Sequence, residues 1–155
     1  MLYTTVIYYI GRKNGLRAFL PLPTGEGEKC PVVLFVLNPR ITMSKPYHYF
    51  ECGLDNIYLF NGYTVEKDGT LFIQDIHNLH RCIGEHLILF TRKLKPKEIR
   101  FMRHFMDLSQ KAYGNMLGVD YQTVLRWETG KNVIPKTADR LLRILFQEFL
   151  DPTSN

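Results

Sequence analysis

The chain has 155 residues, 45% of them hydrophobic and 23% charged. That balance suits a folded globular protein and excludes wholesale disorder. No apolar run approaches the roughly 20 residues needed to span a bilayer, so no membrane association is expected. The net charge of +5 is uneven: residues 91–155 carry twelve Lys/Arg against seven Asp/Glu, residues 43–90 three against six, and residues 1–42 five against two. A basic C-terminal segment suits a polyanionic partner. Cys30, Cys52 and Cys82 are odd in number, widely spaced and never form a C-x-x-C pair. No disulfide framework is expected, and a cytoplasmic location fits.

Residues 1–42 hold two short β-rich runs, 5–10 and 32–37, separated by the Pro/Gly-rich stretch PLPTGEGEK, which reads as loop. Two readings stay open. Either the runs pair as strands, or the segment is an extension upstream of a natural start at Met43-Ser44-Lys45. Residues 2–10 are apolar but too short to span a membrane, and no signal peptide is expected.

Residues 43–90 read as a small α+β domain for dimerisation or partner binding. Ile57 to Val65 is rich in β-branched and aromatic residues, Lys67-Asp68-Gly69 supplies a hairpin turn, and Thr70 to Ile73 is the returning strand. Asp75 can cap a helix reaching about Leu89, with Leu79, Ile83 and Leu87 on one face. The aromatic residues Tyr47, Tyr49, Phe50, Tyr58, Phe60 and Tyr63 are expected to form core, and Glu51, Asp55 and Asn56 to serve in turns or caps. His48, Cys52, His77, His80, Cys82 and His86 lack the two close ligand pairs that tetrahedral zinc favours, so neither a metal nor another cofactor is expected. No spacing of acids or nucleophiles supports catalysis, and an enzyme is not expected.

Residues 94–150 are mainly α, with four to five helices expected. Pro96 suits a first helical turn. Ile99, Phe101 or Met102, Phe105 and Met106 give an apolar face, while Ser109, Asp120 and Pro135-Lys136-Thr137 mark later helix starts. The informative stretch runs from Ser109 to Lys131. Ser109 caps one helix, whose packed face is Ala112, Tyr113, Met116 and Leu117, and Gly118 ends it in a left-handed turn. Asp120 caps a second helix, which buries Val124 and Trp127 and turns Tyr121, Gln122, Leu125 and Arg126 the other way. Gly130 ends it. Leu142, Leu145, Phe146 and Phe149 are expected to be partly core and partly a dimer surface.

Written as S-Q-x3-[A/G]-x2-L-G-V-x3-T-V-x2-W-E-x-G-K, this stretch resembles the XRE/Cro-type helix-turn-helix family, over residues 94–145. The resemblance implies a lambda-repressor-like bundle that binds double-stranded DNA. It implies that Tyr121, Gln122 and Arg126 read base edges. It also implies that Ser109, Gln110, Lys131 and Asn132 contact phosphates, and that Glu128 bonds within the fold. The family usually has Ala where this chain has Gly114. Tyr47–Tyr63 and Ile76–Gly84 are similar to the N-terminal half of MqsA-like (YgiT-type) antitoxins, without their paired C-x-x-C zinc site. The expected function is therefore a sequence-specific transcriptional regulator, a repressor binding a palindromic operator as a homodimer. The alternative is an antitoxin that masks a cognate toxin and represses its own operon, and the remote alternative is a metal-dependent enzyme built on the His/Cys set.

Overall fold

Short strands rich in β-branched and aromatic residues build the first part of the chain, and capped helices the second. The computed structural model describes residues 8–10, 18–21, 32–35, 46–60 and 62–151. By its internal contacts the chain divides into two units, Met1–Ile83 and Gly84–Asn155.

In the first unit, β1 (Tyr8–Ile10), β2 (Ala18–Pro21), β3 (Val32–Phe35), β4 (Tyr47–His48) and β5 (Ile57–Leu59) form an antiparallel sheet in the order β3-β2-β1-β5-β4. The runs at 5–10 and 32–37 therefore do not pair with each other directly, because β2 lies between them. Residues 5–7 and 36–37 of those runs, and residues 22–29 of the Pro/Gly-rich stretch, fall outside the described residues. The expected strand Ile57–Val65 is two strands. β5 pairs with β1 and β4, whereas β6 (Tyr63–Val65) pairs with β7 (Leu71–Ile73) in a separate hairpin. Gly62, at φ +70°, precedes β6 in a conformation that ends an extended run.

The hairpin turn falls where the Asp-Gly pair predicts it. Glu66 N–H donates to Thr70 O at 2.9 Å, Gly69 sits at φ +88°, and Asp68 Oδ1 accepts from Thr70 N–H at 2.9 Å. Ile57 and Leu59 are buried and Tyr58 is half-buried, the two-residue alternation of a strand with one covered face. The aromatic set is only partly core. Tyr49 is buried, Phe50 is 62% exposed, and Tyr47, Tyr58, Phe60 and Tyr63 are half-buried. Cys52 is free.

Helix α1 (Ile76–Phe90) begins where Asp75 Oδ1 accepts from Asn78 N–H at 3.1 Å, and it carries the boundary between the two units. The second unit adds α2 (Pro96–Phe105), α3 (Gln110–Leu117), α4 (Tyr121–Glu128) and α5 (Lys136–Leu150). Proline opens α2, and Glu98 reaches back to accept from Lys95 N–H at 2.8 Å. After α2 the chain turns through Asp107 at φ +53°, with Leu108 N–H bonded to Arg103 O at 3.1 Å.

Helix α5 is tied down by a polar bracket. Asp139 accepts from Leu94 N–H at 2.9 Å and from Arg143 Nε at 2.9 Å. Arg143 Nη1 donates to the carbonyls of Leu87 and Ile88, at 3.0 and 2.8 Å, in the last turn of α1, where a cation suits the unpaired carbonyls. Leu142, Phe146 and Leu150 are the buried stripe of α5, while Phe149 is exposed and Leu145 half-buried. Ile99, Met102, Tyr113, Leu117, Val124 and Trp127 bring α2, α3 and α4 into the same core. The chain is thus mainly α with a small β part, and no helix among the described residues is long and apolar enough to cross a membrane.

Candidate functional site

The Ser109–Lys131 stretch forms two eight-residue helices, α3 and α4, joined by the turn Gly118-Val119-Asp120. Ser109 Oγ accepts from Ala112 N–H at 3.1 Å and starts α3. Gly118 ends it at φ +67°, ψ +30°. Gly118 N–H donates to Asn115 O at 3.2 Å and Val119 N–H to Gly114 O at 2.9 Å, the paired bonds of a Schellman turn. Asp120 then caps α4, accepting from Thr123 N–H at 2.8 Å and Thr123 Oγ1 at 3.1 Å. These bonds, the backbone one foremost, hold the Asp120 carboxyl below its ordinary range.

The approach of α3 to this turn is very close. A Cβ on Gly114 would stand 2.6 Å from Val119 O and 3.3 Å from the Asp120 carbonyl carbon. Glycine is needed here for closeness, which a merely small residue would not supply. Met116, expected on the packed face of α3, is 42% exposed.

A buried ion pair fixes α4 from beneath. The Glu128 side chain is fully covered, and Arg103 grips it with Nε at 2.6 Å from Oε1 and Nη2 at 3.1 Å from Oε2. Gln110 Nε2 donates to Oε2 at 2.9 Å. Burial alone would raise the Glu128 pKa. The hydrogen bonds from Arg103 and Gln110, with the charges of Arg103 and Arg100, outweigh it and hold the carboxyl low. Arg103 also donates through Nη1 to Leu108 O at 2.8 Å, tying the pair to the α2–α3 connection. Burial pushes the Tyr113 hydroxyl pKa far up, and that hydroxyl has no hydrogen-bond partner among the described residues.

Of the expected base readers, Tyr121, Gln122 and Arg126 are all exposed on α4, opposite buried Val124 and Trp127. Gln122 and Arg126 are one helical turn apart and so share a face. Of the expected phosphate contacts, Ser109 is exposed and Gln110 is half-buried against Glu128. Lys131 and Asn132 are exposed on the segment after α4, and Asn132 N–H donates to Arg126 O at 3.1 Å. That bond folds the segment back onto the end of α4.

Arg103 was absent from the sequence reading, although a signal for it exists. Ile99, Met102, Arg103 and Met106 fall at i, i+3, i+4 and i+7, so the arginine occupies a position of the apolar stripe. Around the site, Lys111, Arg126, Lys131, Lys136 and Arg140 are exposed.

Three members of the His/Cys set are taken up in separate hydrogen bonds. His48 Nε2 bonds Asp55 O at 2.9 Å, His80 Nε2 bonds Tyr49 Oη at 2.8 Å, and Cys52 Sγ donates to Tyr49 O at 3.2 Å. Among the described residues no group of three or more His, Cys, Asp or Glu side chains is placed to hold a metal. No protein-family model matches the chain, and no curated protein or solved structure does.

Proposed function

We propose that the second unit is a helix-turn-helix DNA-binding domain of the XRE/Cro type, and that the protein is a sequence-specific transcriptional repressor. The observation that carries this reading is the two-sidedness of α4. Val124, Trp127 and Glu128 are buried, while Tyr121, Gln122, Leu125 and Arg126 are all exposed on one side. An α-helix fits the major groove, where glutamine can pair bidentately with adenine and arginine with guanine. Ser109, Lys131 and Asn132 lie at the two ends of the α3–α4 pair, where a DNA backbone would pass. Binding as a homodimer would place two copies of α4 about 34 Å apart along a palindromic operator.

The test is a gel shift of the full chain on its own upstream DNA and on an unrelated fragment, at two salt concentrations. A discrete complex on the upstream fragment alone, surviving the higher salt, supports the proposal. Equal and salt-labile binding to both fragments would reduce it to the nonspecific attraction of basic charge for phosphate.

A further inference from the structure

We infer that Leu125 is a specificity-determining residue of α4, reading the C5-methyl group of a thymine. The inference rests on the DNA-binding reading above and goes beyond it by assigning a base feature to a residue outside the hydrogen-bonding set.

The exposed side of α4 carries two adjacent rows, each made of residues four apart. One row, Gln122 and Arg126, can form hydrogen bonds. The other, Tyr121 and Leu125, is 51% and 39% exposed and presents apolar surface. Leu125 lies outside the buried core, which α4 reaches through Val124 and Trp127. Its backbone is well fixed, since Leu125 O accepts from Thr129 N–H at 3.0 Å and from Thr129 Oγ1 at 2.7 Å.

A single exposed leucine is ordinary on a protein surface. This one lies beside the two side chains best suited to base edges, Gln122 and Arg126, on a helix that also carries the exposed Asp120 carboxylate at its N-cap. The excess of Lys/Arg over Asp/Glu in residues 91–155 favours a polyanion over an apolar protein groove. In the major groove only thymine among the four DNA bases presents an apolar group, its methyl, and an aliphatic side chain packs on it.

The experiment selects a preferred site for the full chain from duplexes with a random core. Each thymine of that site is then replaced in turn by deoxyuridine, which lacks only the methyl. At one thymine the replacement should weaken wild-type binding roughly three- to tenfold, the scale of losing one buried methyl contact. Leu125→Ala should bind the thymine and uracil forms of that position alike while still rejecting base changes elsewhere, and Leu125→Met should restore the preference. Tolerance of uracil at every position, or an unchanged uracil penalty in Leu125→Ala, overturns the inference while leaving DNA binding intact. If the selection yields no preferred site, the DNA-reading proposal fails and this inference fails with it.

Discussion

Arg103 and Glu128 lie 25 residues apart in sequence, yet both oxygens of the Glu128 carboxylate are bonded by the Arg103 guanidinium, at 2.6 and 3.1 Å. The pair joins the last turn of α2 to the last turn of α4, so it orients the helix that carries Gln122 and Arg126. With both side chains nearly or fully covered, removing one partner leaves a charge in the interior. Arg103→Ala should therefore cost about 3–5 kcal/mol, far above the roughly 0–1 kcal/mol of an exposed pair. Replacing both residues, as Arg103→Met with Glu128→Leu, should recover much of that loss because no charge is then stranded. Urea midpoints of the three variants check it. A loss within the exposed-pair range for Arg103→Ala would show that the pair does not clamp α4.

Gly114 offers a test whose sign is informative. In an open helix interior, Gly→Ala stabilises by about 1 kcal/mol. Here the added Cβ meets backbone, with Val119 O at 2.6 Å, and backbone in a capped turn cannot move aside cheaply. Overpacking of this kind costs about 1–3 kcal/mol, so Gly114→Ala should lower the thermal midpoint. A raised midpoint would mean that the α3–turn contact is looser than described.

The helices of the second unit were legible because their punctuation is local. Ser109, Asp120, Pro96 and Gly118 each act within one turn of the backbone they cap, and each does so here. The exposure of Tyr121, Gln122 and Arg126 followed from the spacing of Val124 and Trp127. What escaped the sequence was non-local. Arg103 finds Glu128 across 25 residues, and β5 and β6 join different sheets although they sit in one β-rich run. Periodicity identifies a covered face without identifying what covers it, which is also why Met116 was misplaced and why Gly114 looked interchangeable with alanine.

Acidification should destabilise the protein through groups whose pKa values are depressed by folding. Burial lowers His86 from the ordinary 6.5 to about 4. His80 is lowered by burial and then by the charge of His77. A depressed folded pKa means that the unfolded chain takes up the proton first. The contribution is therefore complete above about 6.5 and is lost as pH falls towards 4. Glu128, held low by its partners, keeps its contribution down to the ordinary carboxylate value and loses it as pH falls from there through its lower folded value. Glu98, raised by burial, has the opposite sign, and its contribution fades as pH rises through its folded value. Urea midpoints measured from pH 7 to pH 4 should fall in the wild type and fall less steeply in His86→Gln. Identical slopes would exclude His86 as a source of the acid sensitivity.

The proposed function separates two exposed cations by what each should do. Arg126 sits exposed on α4, one turn from Gln122, where the proposal has it meet a base edge, and Lys131 follows the helix in a segment tied to Arg126 O by Asn132 N–H. A bidentate arginine–guanine contact discriminates by about 1–3 kcal/mol, so Arg126→Ala should lose that much affinity for the preferred site and become indifferent to one base position. A phosphate contact carries no sequence information. Lys131→Ala should therefore weaken preferred and unrelated duplexes alike and reduce the magnitude of the salt slope by about 1. Binding titrations of both variants across a salt series separate the two behaviours. If Arg126→Ala weakens all duplexes equally and leaves the base preferences of the wild type intact, then Arg126 contacts backbone, and sequence reading by α4 must rest on Gln122, Tyr121 and Leu125 alone.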